Sequence, residues 1–130
     1  MATESTLKRQ QFQIGTYLID AELARTAEER QRGLMFRESL AENQGMMFQF
    51  SQPDHYCMWM KNTLIPLSIA FIDEQGNIIN IEEMQANNEQ TTCAKSKARY
   101  ALEMNTGWYS QRQIKVGQKV EGLPLADSAQ

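Results

Sequence analysis

From residue 12 to 24 the chain reads FQIGTYLIDAELA, with apolar and polar side chains alternating over much of its length and Tyr17, Ile19, Ala21 and Leu23 on one side. A period of two is the pattern of a strand, and Gly15 marks a turn or bend within it. TAEERQRG (26–33) switches to a helical pattern. Thr26 can cap, Glu29 falls at the capping-box position, and Gly33 supplies the stop, so a short and mostly exposed helix is expected. In MMFQF (46–50), Met46, Phe48 and Phe50 share a strand face. SQPDH predicts a turn centred on Pro53 and Asp54, and YCMWM predicts a further strand broken by residues 63–66.

LSIAFID, EQG and NIINIEEM form the clearest hairpin pattern, with its turn around Asp73 to Asn77. ANNEQTT is a polar loop. ARYALEMN alternates again, setting Tyr100, Leu102 and Met104 against Arg99, Ala101 and Glu103. A helical turn at GWYSQRQ and a last strand near QKVEG follow. Short strands separated by turn signals, with little helix, predict a mainly β domain: a small sandwich or partly open barrel with one short capped helix and one helical turn. The expected layout is a flexible segment over 1–10, one domain over 11–122 and a polar tail over 123–130.

A length of 130 residues suits one domain able to hold its own core. A net charge of −3 opposes attraction to phosphate backbones and acidic membranes, and the basic residues do not interleave with aromatics, so no nucleic-acid partner is expected. No apolar run reaches the roughly 18 residues of a transmembrane helix, and residues 1–20 lack the apolar core of a secretion signal. The chain is therefore read as soluble, with no leader in the sequence as written.

Chemistry-bearing residues are few. One histidine and two cysteines make a zinc site improbable, no EF-hand spacing is present, and neither a phosphate-binding glycine loop nor a nucleophile elbow occurs. No metal or cofactor is expected. His55 and Cys57 stand two apart, the spacing at which an imidazole on a strand can activate a thiolate; the competing use of Cys57 is a bond to Cys93. Such a bridge would close a loop of about 36 residues and contribute on the order of 4 kcal/mol, while two independent buried thiols are the alternative. Arg32 has Glu28 one helical turn earlier as a local partner, whereas Arg37 has none and is a candidate for a ligand or a buried network. Glu103 belongs in water if its sheet face is open. If that face is covered it needs a cation, for which Lys61 and Arg37 are the candidates. The eight methionines read as adaptable core filling.

The blocks ERQRGLMFR, GMMFQF, WMKNTLIPL, AFIDEQGNI, ALEMNTG and IKVGQKV occur in this order over roughly residues 16 to 121. In these blocks the chain resembles domain of unknown function family 192 of bacteria and archaea. The resemblance implies a compact, mainly β domain, a family without an established reaction, and many bacterial members made with an export leader. It carries the family's polar positions onto Arg37, Lys61, Asn62, Thr63 and Glu103, and its turn glycines onto Gly33, Gly45 and Gly107. Where the family usually has Asp in PLDIAF, this chain has Ser68, which weakens any acidic pair or metal built on that position. The cysteine pair resembles that of exported proteobacterial relatives, which implies a structural Cys57–Cys93 disulfide and a periplasmic or otherwise exported location rather than a cytoplasmic one.

The function expected is a non-catalytic, exported binding or accessory domain. Arg37, Lys61 and Asn62, with Thr63 and Glu103 nearby, would present polar groups beside Trp59 to a small anionic or hydroxyl-rich ligand. The alternatives are a small hydrolase or lyase using Glu103 with Lys61, and a protein interaction module.

Overall fold

The computed structural model describes residues 7–124. The ends of the expected flexible segment and polar tail, 1–6 and 125–130, lie outside the described residues. The elements run β1 (Arg9–Ile14), β2 (Tyr17–Ala24), α1 (Ala27–Arg32), β3 (Gln44–Asp54), β4 (Cys57–Met58), β5 (Leu67–Ile72), β6 (Ile78–Met84), β7 (Thr92–Cys93), β8 (Ala98–Asn105), α2 (Trp108–Gln111) and β9 (Val120–Glu121). Seven strands form one sheet in the order β6-β5-β8-β3-β2-β1-β9, while β4 and β7 pair separately.

The sheet is antiparallel except for β2 and β3, which run parallel with Ala21 opposite Gly45 and Glu22 opposite Met46. Parallel neighbours need a long crossover, and α1 with the loop 33–43 supplies it. α1 starts as its sequence dictates: Thr26 Oγ1 accepts the Glu29 amide at 3.1 Å and Glu29 Oε1 accepts the Thr26 amide at 3.1 Å. The helix ends at Gly33, whose φ of 52° favours glycine and whose amide reaches the Glu29 carbonyl.

The sheet buries both faces. One core gathers Phe12, Ile19, Leu23, Met47, Leu102 and Trp108. The other gathers Leu34, Met46, Phe48, Met60, Ile69 and Ala101 beneath the crossover and the loops around β4. At the far edges, Asn77 bridges Lys119, the Ile78 amide donates to the Gln118 carbonyl, and the Val120 amide donates to the Gly76 carbonyl. These bonds tie the beginning of β6 to the approach of β9. The architecture is the partly open barrel, not the two-sheet sandwich, because one continuous sheet curls until its edges touch.

Two local expectations change. The segment 51–54 is not a turn but the end of an eleven-residue β3, with the register to β8 shifting between Gln49 and Asp54, where the proline is accommodated. YCMWM supplies only a two-residue strand, and its partner, Thr92–Cys93, comes from the end of the expected polar loop. Cys57 and Cys93 stand directly opposite and are joined by a disulfide with an S–S distance of 2.05 Å.

Candidate functional site

Glu22, Met46, Glu103, Ile69 and Glu82 form one row across five strands, set by the registers of β2, β3, β8, β5 and β6. Glu103 sits at the centre of that row on the face covered by the crossover, so it lies in the core and not in water. It is 4% exposed. Among the described residues its carboxyl has neither a hydrogen bond nor an ion pair, and burial pushes its pKa from 4.5 to about 8. The cation expected for a covered Glu103 is absent because both candidates are engaged elsewhere.

Arg37 grips the buried Glu22 in bidentate fashion, Nη1 to Oε2 at 2.8 Å and Nη2 to Oε1 at 3.0 Å, with Arg9 at 3.7 Å as a second cation. The hydrogen bonds to Glu22 hold the Arg37 guanidinium above its already high pKa. Lys61 places Nζ 5.3 Å from the centroid of the Trp59 ring. Asn62 is in the left-handed region (φ 56°) and its carbonyl accepts the amide of Phe36, itself at φ 66°. Thr63 is buried and turns its Oγ1 back onto the Lys61 carbonyl at 3.2 Å. These bonds seat the loop 60–63 on the loop after α1.

A cavity of about 140 Å³ opens between these loops and the sheet. Glu103, Phe48 and Thr63 line it, with Arg30 and Arg32 from α1 and Cys57 and Trp59 from the disulfide arm. Trp59 is 42% exposed, so it offers an apolar face at the solvent side while the carboxyl lies at the buried side. The structure thus brings Trp59, Thr63 and Glu103 into one site. Arg37, Lys61 and Asn62 support its walls and do not line it.

The sequence reading gave Arg32 a local helix partner in Glu28 and did not place Arg30 or Arg32 at the site, because charges on a short exposed helix resemble solvated ones. Arg30 donates to the carbonyls of Arg25 and Gln49, fixing the helix to β3, and Arg32 lies over the Phe36 ring. The capping box was the available signal, since it fixes which way the helix directs these side chains. Gly45 is the other concealed support: a Cβ there would lie 2.1 Å from the Glu103 carbonyl oxygen, so only glycine lets β3 approach β8 at this point.

The His55–Cys57 nucleophile is corrected, because Cys57 is bonded to Cys93; the His55 amide donates to Asp54 Oδ1 at 2.7 Å just past the end of β3. Ser68 faces away from the cavity, opposite Met104. It donates to Glu83 at 2.6 Å and accepts the Gly107 amide at 2.8 Å, fastening the turn before α2.

Residues 10–122 match the model of a family described as an uncharacterised conserved region. The chain belongs to domain of unknown function family 192. Two solved structures share the family's fold here. One is a Sinorhizobium meliloti 1021 protein that bears the provisional description of a transcription regulator; it is 30% identical, with a TM-score of 0.88 over 92% of this chain and 97% of that one. The other is a protein of unknown function from Novosphingobium aromaticivorans DSM 12444, 36% identical, with a TM-score of 0.87 over 90% of this chain and 87% of that one. No curated protein matches the chain.

Proposed function

We propose that this member of domain of unknown function family 192 is a binding domain whose ligand is a small hydroxyl-bearing molecule held in the cavity between Glu103 and Trp59. The observation that carries the proposal is the carboxyl of Glu103, which lines an open cavity at its buried side and has no hydrogen-bond or ion-pair partner among the described residues. The Glu103 carboxyl is reached from the cavity, so a ligand hydroxyl can pair with it directly. With its pKa raised to about 8, Glu103 is largely neutral at pH 7 and both donates and accepts, which suits a hydroxyl. The exposed Trp59 supplies a stacking face for the apolar side of a ring.

Catalysis has less support, since Lys61 stands over Trp59 and does not share the cavity with Glu103. Binding of nucleic acid, suggested by the description of the S. meliloti relative, is opposed by the net charge of −3. The disulfide supports an exported location, because such bonds persist in oxidising compartments.

Thermal shift against glucose, galactose, N-acetylglucosamine and trehalose tests the proposal. A ligand at a hundredfold excess over its Kd stabilises by about 2.7 kcal/mol, so a rise in Tm is expected for at least one sugar in the wild type. That rise should vanish in Glu103→Leu and Trp59→Ala. No rise with any of the four, or a rise that both variants retain, would remove the proposal.

A further inference from the structure

The cavity holds a second chemical feature that hydroxyl binding does not use. Cys57 lines it together with Glu103, and both Cys57 and Cys93 are exposed, in a two-stranded arm separate from the main sheet. An exposed disulfide is open to attack, and a carboxyl in the same cavity can exchange a proton with the sulfur released there. We propose that the Cys57–Cys93 bond is a thiol-exchange centre for small aliphatic thiols, with Glu103 as its acid and base.

A substrate thiolate attacks Cys93 Sγ from solvent. The bond between the two cysteine sulfurs breaks, a mixed disulfide forms on Cys93, and Cys57 leaves as a thiolate that takes the proton of Glu103. A second substrate thiolate then attacks the substrate sulfur of the mixed disulfide. Cys93 departs as a thiolate and takes its proton from water. Two thiols are thereby oxidised to one disulfide while the protein bond is reduced to two thiols. A low-molecular-weight disulfide restores the bond by the reverse steps, in which Glu103 takes back the proton of Cys57.

The groups facing Glu103 are compatible with this role. Arg30 and Arg32 share its cavity, Glu22 and Glu82 lie beyond Met46 and Ile69 in its row, and Tyr109 packs from the other side of the sheet, its pKa raised first by burial and then by the charges of Glu103 and Glu83. The two arginines attract the negative charge of this cavity, whether it sits on the leaving sulfur or, after proton transfer, on the Glu103 carboxylate. Exchange does not depend on the hydroxyl ligand, so either proposal can fail alone.

The test exposes the folded, oxidised chain to reduced glutathione, quenches with acid, alkylates, and follows the mixed disulfide and the free thiols by mass. The wild type is expected to exchange without unfolding. Glu103→Gln, with an unchanged circular dichroism spectrum, should exchange at least tenfold more slowly at pH 6.5, and its rate per unit of glutathione thiolate, which removes the titration of the reagent, should lack the break that the wild type shows around pH 8. Wild-type exchange no faster than global unfolding, measured by amide hydrogen exchange, would overturn the proposal, as would a Glu103→Gln variant with the wild-type rate and pH profile. If that variant does not fold, the wild-type comparison alone decides: exchange faster than unfolding, with a break near pH 8 in the rate per unit of glutathione thiolate, supports the proposal, and exchange lacking either feature overturns it.

Discussion

A carboxyl at position 103 makes the stability of this domain a function of pH. The folded pKa of Glu103, about 8, lies above its ordinary 4.5, so the native state retains a proton that the unfolded chain releases. The stabilising difference is complete below about pH 4.5 and is lost as pH rises toward 8, at up to about 1.4 kcal/mol per pH unit, then levels off. Urea unfolding at a series of pH values should show this decline in the wild type and a flatter profile in Glu103→Gln. Equal slopes in the two proteins would contradict the burial of an unpaired carboxyl. Arg37 has a different task. Removing it takes the bidentate partner from the buried Glu22, and Arg37→Ala should cost about 2 kcal/mol in the same assay.

Such individual roles were only partly legible in the sequence. Arg37 stood out as a cation without a local partner, but its partner lies fifteen residues away, where β2 places Glu22 on the covered face. Glu103 occupied a definite strand face, yet alternation cannot say whether that face is covered. What covers it is the crossover between two parallel strands, which no local pattern announces.

At the scale of elements, the site depends on two small pieces held against a large sheet. α1 has six residues, and its reciprocal cap is a main support of its start, so Thr26→Ala should lower stability by about 1 kcal/mol, read as a fall in Tm of several degrees. The disulfide arm is the second piece. Replacing both cysteines by serine should cost at most on the order of 4 kcal/mol and loosen Trp59, seen as a change in the accessibility of its indole to an added quencher. The helix was readable to the residue because a capping box is local. The arm was not: β4 and β7 are two residues each and hold together through a covalent bond more than through strand propensity. The proline at 53 misled in the same way, as a turn signal that the long β3 absorbs where its register shifts.

For the whole molecule, the β-rich class and the hairpin of β5 and β6 followed from period-two alternation, whereas closure did not. Asn77 and Lys119 are 42 positions apart, and their bridge arises from the twist of the whole sheet. Gly45 links that architecture to the site, because the close approach of β3 to β8 beside Glu103 tolerates no side chain. Gly45→Ala should cost several kcal/mol or prevent folding, judged by soluble yield and the urea midpoint. The central claim is that the Glu103 cavity is where this domain meets its ligand. Amide chemical-shift mapping with the sugar giving the largest rise in Tm tests it directly. The account predicts shifts concentrated at residues 30–35, 57–63 and around Glu103; shifts centred instead on another hollow of the molecule, about 280 Å³ and lined by residues 74–76, 100 and 119–124, would contradict it.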